Sequence, residues 1–170
     1  ISEKGTIRAQ FHHLIDVVPT VLDVTHLQAP SVYRGVPQLP IAGVSMANAF
    51  SNPTAPSRHI TQYFEMYGHR GIYHDGWKAV VFHPKGAAFD KDVWELYHVD
   101  DDWSEAHDLA AVEPERLKML KALFDTEAAK YNVLPLDDRT FELRDGLKYG
   151  GPPPRTSWRP TCSATWTRSW

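Results

Sequence analysis

His12, His13 and Asp16 bring two imidazoles and a carboxylate close enough in the chain to suggest a metal site. Asp16 shares a helical face with His13 only if a helix begins before residue 13, and Pro19 argues against that. The favoured role of Asp16 is therefore the N-cap of a helix. Asp100, Asp101 and Asp102 with Glu105 offer the hard oxygens that calcium prefers, but without the central glycine and ligand spacing of an EF-hand loop. A solvated turn, with Asp102 capping a short helical turn, accounts for them. His69, Arg70 and His74 cluster where a turn meets a strand, a place from which polar side chains can reach a substrate across a cleft. A plain hairpin with exposed polar ends needs the same residues. Cys162 is the single cysteine, which rules out an internal disulfide framework and a cysteine-rich zinc site. It reads as an incidental residue and not as a reactive thiol. On these readings no catalytic residue and no metal ligand is assigned, and substrate-binding residues stay open.

The elements that must position these groups are clearest from residue 61 onward. Thr61–Met66 alternates polar and aromatic residues, Gly68 punctuates it, and 71–74 is a second short run. Asp75-Gly76 is a two-residue hairpin signal between this run and a third strand, 77–82, and Trp94-Glu95-Leu96-Tyr97 supplies a fourth. Trp77, Trp94, Tyr63 and Phe64 are read as sheet core, not as a ligand platform. Glu113-Pro114-Glu115 opens a helix, with proline suited to the first position and the acids to the positive end of the dipole. Leu117, Leu120, Phe124, Ala128 and Tyr131 recur at three- and four-residue steps, and Asn132 suits a left-handed terminus. An antiparallel meander with this amphipathic helix laid across one face is a small α+β unit.

Upstream, residues 6–11 are expected to form a strand, and Asp16 to open a short amphipathic helix with Pro19 in its first turn. Val18, Val21, Leu22 and Thr25 fall on one face of it. Residues 29–58 contain Pro30, Pro37, Pro40, Pro53 and Pro56 and read as an extended loop, with one helical turn between residues 44 and 50. A loop of that length needs a larger body to lie on.

Hydrophobic residues make up 42% of the 170, charged residues 23%, and the net charge is -3, an ordinary balance for a soluble globular protein. That balance carries no basic footprint for nucleic acid or an anionic membrane, and no apolar run is long enough to span a bilayer. The opening residues show neither a start methionine nor a signal peptide, so the chain is expected to begin within something longer. After Gly146 the composition changes abruptly. Residues 148–170 contain no Val, Ile, Leu, Met, Phe or acid, but are rich in Pro, Ser, Thr and Trp. They read as a disordered tail, or as one translated out of frame.

Several phrases in the chain resemble bacterial arylsulfatases, in the order that family has them. His13-Leu14-Ile15-Asp16-Val17-Val18-Pro19-Thr20-Val21-Leu22 is similar to the family's entry to a helix, and Leu39-Pro40-Ile41-Ala42-Gly43-Val44-Ser45 to its following loop. Gln62-Tyr63-Phe64-Glu65-Met66 with Gly71-Ile72-Tyr73-His74-Asp75-Gly76-Trp77-Lys78 resembles its meander. Trp94-Glu95-Leu96-Tyr97 and Asp108-Leu109-Ala110 resemble the segment before its last helix. Tyr131-Asn132-Val133-Leu134-Pro135-Leu136-Asp137-Asp138-Arg139 resembles the segment after it.

The resemblance implies a fragment of an α/β sulfatase fold of the alkaline-phosphatase superfamily, from the C-terminal side. Residues 1–58 would be the end of the large α/β domain, 59–145 the small antiparallel sheet with its helix, and 146–170 the tail. The implied reaction is hydrolysis of an aryl or alkyl sulfate ester to an alcohol and sulfate. In the parent enzyme it uses a formylglycine made from Cys or Ser in C/S-x-P-S-R, together with Ca²⁺. The phrases that carry that chemistry lie upstream of the residues present, so the chain itself is expected to be inactive, with no cofactor of its own. Thr54-Ala55-Pro56-Ser57-Arg58 imitates the nucleophile phrase with Thr in the reactive place. A secondary hydroxyl would oxidise to a ketone and not to an aldehyde, and the phrase follows the Asp16–Thr20 segment instead of preceding it. A proline-rich loop before a strand is the reading kept for it. Two other classes stand beside this one: a non-catalytic interaction module, and a piece of a related phosphate or phosphonate ester hydrolase. The expected partner of the parent is a small sulfate ester, with no nucleic acid, and the expected setting is the bacterial cytoplasm or periplasm.

Overall fold

The computed structural model describes residues 5–139. The expectations for the tail, and for the last residues of the 59–145 unit, lie outside the described residues.

Four strands form an antiparallel sheet in the order of the chain: β3 (Thr61–Met66), β4 (His69–His74), β5 (Trp77–Val81) and β6 (Glu95–His98). β1 (Val32–Tyr33) and β2 (Val36–Pro37) make a separate small hairpin. The meander is therefore as the sequence predicts, with the second strand beginning two residues earlier. Its turns follow from backbone conformation. Asp75 and Gly76 both have positive φ, 46° and 79°, which is the mirror-image turn that suits the twist of a two-residue hairpin. Tyr67 and Gly68 repeat the arrangement at 54° and 88°. The positive φ of Gly76 is what favours glycine there, and a Cβ would also push the Asp100 carboxylate aside.

Pairing register sorts the side chains onto two faces. Tyr63, Ile72, Ala79 and Leu96 lie opposite one another in one row across the strands. Helix α3 (Pro114–Lys130) covers this row with Leu120, Phe124 and Ala128, all buried. Val81 and Trp94 complete the core, and Leu117 and Val133 pack against its edge. The period of α3 thus predicts the buried stripe. Tyr131 lies just past the helix, stacked on Tyr63 with ring centroids 5.3 Å apart. Asn132 takes the left-handed conformation at φ 57°. Val133 N donates to Ala128 O and Asn132 N to Ala129 O, so the terminal carbonyls are satisfied by a Schellman motif.

The upstream segment departs from expectation in two places. Residues 6–11 form no strand, because side chains and not backbone anchor them. Gln10 Nε2 donates to Pro53 O and Ala55 O, and the Phe11 ring stacks on Tyr73 at 3.8 Å. Asp16 takes the expected N-cap position of α1 (Val17–Val24), but its carboxylate makes no capping bond to that helix. A single 3-10 turn, Leu14–Asp16, precedes the helix, and His13 is its cap: Ile15 N donates to His13 Nδ1 while His13 N donates to the Asp16 carboxylate. Helix α1 is also turned the opposite way from an ordinary amphipathic helix. It buries Asp16 and Thr20 and exposes Val17, Val18, Val21 and Val24. In the long loop, α2 (Asn48–Ser51) matches the expected helical turn, and the β1–β2 hairpin is an addition closed by Arg34 and Gly35 at positive φ.

Phe124→Ala should lower stability by about 3–5 kcal/mol, the usual cost of emptying a buried phenylalanine site. Val18→Ser, on the outward face of α1, should change it by less than about 0.5 kcal/mol. Urea denaturation of each variant tests the pair, and a comparable loss from both would contradict this assignment of core and surface.

Candidate functional site

The sheet face away from α3 is open. Gln62, Phe64, Met66, His69, Gly71, Lys78, Val80, Phe82 and Glu95 lie on it by register. His13, Ile15, Ala42 and His59 stand against it, enclosing a cleft of about 850 Å³. That volume is within the usual range for a binding pocket. Its lining is largely apolar, with Phe64 38%, Met66 65% and Phe82 76% exposed.

The wall of the cleft is held by one carboxylate. Asp16 is fully buried and accepts from His13 N at 2.8 Å, from Val44 N at 2.9 Å and from His59 Nδ1 at 2.7 Å. His59 is held at its other nitrogen as well, with Nε2 3.1 Å from Gln62 Oε1, while Gln62 Nε2 donates to Tyr63 O. Thr20 Oγ1 donates to Asp16 O and accepts from Met46 N, and Ser45 Oγ donates to Asp23, so α1 and the 43–46 segment are joined twice. Gly43 permits this approach, since a Cβ there would overlap the Ile15 carbonyl. Burial pushes the Asp16 carboxyl up, but the donors from His13, Val44 and His59 outweigh it and hold it below the ordinary carboxylate value.

A second buried cluster lies beneath the helix-side face. Asp92 accepts from Arg70 Nη2 and lies 2.9 Å from His83 Nδ1. The His83 ring stacks on Phe89 at 4.0 Å, and Arg70 sits over the Phe89 and Trp94 rings.

These arrangements decide the sequence-derived candidates. His69, Arg70 and His74 do not converge. His69 Nδ1 accepts from His83 N, Arg70 pairs with Asp92 on the opposite face, and His74 Nδ1 lies 2.8 Å from Thr61 Oγ1. His12, His13 and Asp16 form no ligand set. Among the described residues no group of three or more His, Cys, Asp or Glu is placed to hold a metal ion. The acidic run is a turn, as expected: Asp102 accepts from His107 N and Ser104 Oγ, His98 Nδ1 lies 2.6 Å from Asp101, and Glu105 pairs with Lys78. Thr54 is also a loop residue, with its N and Oγ1 both turned to Asn52 Oδ1. Phe64, expected in the core, instead faces the cleft. His59, Gln62, His83 and Asp92 were not singled out from sequence; His59, His83 and Asp92 act through partners distant in the chain, and Gln62 acts by holding His59.

The charge of the cleft bears on what it can bind. Glu95 and Lys78 lie on the open face, and the lining continues round the sheet to Glu65, Arg70 and Glu127 on the α3 side. Lys78 Nζ is 2.5 Å from Glu105, and Arg70 is paired with Asp92. Tyr97 is pushed up to about 12 by burial and by its hydrogen bond to Glu95, so it serves as a donor and not as a base. The cleft therefore suits an apolar or cationic surface better than an anion.

No protein family model matches this chain. Its fold is similar to that of BT4656, solved in complex with its substrate D-glucosamine-2-N,6-O-disulfate, at 22% identity and a TM-score of 0.50 over 74% of this chain and 25% of that one. It is also similar to Ps i-CgsB, at 17% identity and a TM-score of 0.52 over 81% of this chain and 29% of that one. The latter has also been solved with k-i-k-neocarrahexaose. The chain spans less than a third of the length of the solved proteins it matches. What it shares with them is the fold, a small α+β unit built on an antiparallel sheet.

Because the folded-state value of Asp16 lies below that of an unfolded aspartate, about 3.9, its contribution to stability is present above that pH and lost as the pH falls through the folded-state value. Asp16→Asn should cost about 3 kcal/mol at neutral pH, since it removes the charge and turns a donor toward His13 N or Val44 N. It should also flatten the loss of stability in acid. Denaturation at neutral pH and below pH ~4 measures both, and an Asp16→Asn protein as stable as the parent would refute the role given to this carboxylate.

Proposed function

We propose that this chain is the small-sheet portion of a sulfate ester hydrolase of arylsulfatase type, and that it supplies scaffold and interface while the bond-breaking groups belong to a larger α/β body. The observation that carries the reading is the apolar surface the fold leaves uncovered. Helix α1 turns Val17, Val18, Val21 and Val24 outward, and the sheet opposite α3 exposes Phe64, Met66 and Phe82. A self-contained module seldom turns two such apolar surfaces to water, whereas a unit that packs against a second body does. The choice of sulfate ester chemistry rests on the ordered phrases between His13 and Arg139, and it is supported by the fold likeness to BT4656, whose solved substrate is a disulfated glucosamine.

The residues of this chain do not fit the cofactors of the implied reaction. The Thr54 hydroxyl is engaged with Asn52, and its motif lacks the cysteine or serine that formylglycine requires. The carboxylates and histidines that are close together are joined to one another or to backbone, and among the described residues none are grouped for a metal. Ca²⁺ and formylglycine thus belong, on this reading, to the larger body, and no catalytic step is routed through this chain. The small sulfate ester is likewise a ligand of the complete enzyme. The same apolar surface favours a second reading, a binding module for another protein, which differs in having no hydrolase body as its partner.

The purified 170-residue chain should release no sulfate from an aryl sulfate with or without Ca²⁺. It should self-associate in sedimentation velocity, and Val21→Lys with Val24→Lys should reduce that association. Metal-dependent turnover by the chain alone would overturn the assignment. A monodisperse monomer with a sharp thermal transition would instead favour the independent module.

A further inference from the structure

We infer that His83 is a proton-controlled latch: when protonated, its ring bridges Asp92, beneath the sheet, to Asp138, on the segment that follows α3, and holds that segment against the 83–86 connection. This inference is independent of the hydrolase reading. The His83 side chain is fully buried, with Nδ1 2.9 Å from Asp92 Oδ2 and Nε2 3.6 Å from Asp138 Oδ2. A carboxylate only accepts, so Nδ1 carries a proton toward Asp92. In the neutral ring Nε2 is then a bare acceptor pointed at a second carboxylate. It is buried and, among the described residues, has no hydrogen-bond partner. An unsatisfied buried nitrogen is costly, and here the facing Asp138 carboxylate repels it. A second proton on the ring reverses the sign of that contact and gives both carboxylates a donor.

The surroundings restrict what else the ring can answer to. Arg70 already neutralises Asp92 from β4. The His69 ring takes the His83 backbone N–H, and Phe89 covers one face of the imidazole. A Cβ on Gly68 would collide with the ring edge, so that side is closed as well. Asp138 is the contact that reaches solvent, at 22% exposure, and it comes from a different part of the chain. It also accepts from Gly86 N, which ties the segment after α3 to the connection between β5 and β6. The neighbouring Asp137 is held by Arg139. Proton and segment are therefore linked: whatever favours the charged ring favours the docked Asp138, and the reverse holds. The latch closes when the ring takes up its second proton and is lost in acid strong enough to protonate Asp138. The Gly86 hydrogen bond holds the Asp138 carboxyl below the ordinary value, and the charge of His83 adds to this.

The test uses NMR on the full chain, following the His83 ring and the Gly86 amide from about pH 5 to 8, the range in which imidazoles change charge. Protection of the Gly86 amide, corrected for intrinsic exchange, should be about tenfold greater at the acid end, as expected of a charge-assisted hydrogen bond. The change should coincide with titration of the His83 ring. Asp138→Asn keeps an acceptor for Gly86 but removes the charge, so it should abolish the pH dependence while the amide shifts of the sheet stay in place. The inference fails if His83 does not titrate in this range. It also fails if Gly86 protection stays flat while the ring titrates, or if Asp138→Asn keeps the same transition.

Discussion

The upstream half of the described structure depends on a carboxylate taken completely out of water. Burying an isolated charge is prohibitive, so Asp16 can occupy its place only if every approach to it ends in a donor. Those donors come from three separated stretches: His13 just before it, Val44 at the far side of the proline-rich loop, and His59 at the entrance to the sheet. The requirement works in both directions. The carboxylate is tolerable because the segments converge, and each donor that meets it offsets part of the cost of ordering the loop. A loop with little secondary structure of its own acquires a fixed path in this way.

This constraint also explains the orientation of α1. Had the valine face packed inward, Asp16 and Thr20 would have faced water, and neither the 43–46 segment nor His59 would have had an anchor. The polar face is therefore the packed face, and apolar side chains are left outside. An exposed valine stripe of this kind is not a defect of folding within the unit. It follows from using the helix's polar edge for internal attachment, which leaves the apolar edge available for another body. The cleft has the same origin, since His13 and Ile15 reach over the open sheet from a turn that Asp16 holds.

What could be read from sequence was what depends on near neighbours. Asp75-Gly76 names its turn because two adjacent residues at positive φ are a local demand, and α3 reveals its buried stripe through the spacing of Leu120, Phe124 and Ala128. Asp16 was only half legible for the same reason: it stands at the N-cap position, but its carboxylate serves other donors. Its distance from Pro19 matches a helix cap, while the partners that decide its role lie 28 and 43 residues away. The segment 6–11 has the residue types of a strand, but Gln10 and Phe11 are held through their side chains, which no alternation pattern encodes. Phe64 was placed in the core by its type, whereas register, fixed by the flanking turns, puts it in the row with Gly71, Val80 and Glu95 on the open face.

The placement of cations argues for a structural contribution over a chemical one. A site that binds a sulfate ester needs positive groups with unused donors aimed at open space. On the cleft face Lys78 reaches across to Glu105 and so secures the turn after β6, while on the α3 side Arg70 is held by Asp92 between two aromatic rings. Each cation joins elements that the meander alone would leave loosely connected. An anion entering the cleft would have to displace a carboxylate at hydrogen-bonding distance, and in the case of Arg70 would leave a buried acid unpaired, which is among the more costly changes a folded chain can suffer. The charges that might have served recognition are already committed to holding the sheet's neighbours in place, and that commitment is consistent with a unit whose open surfaces are there to be covered.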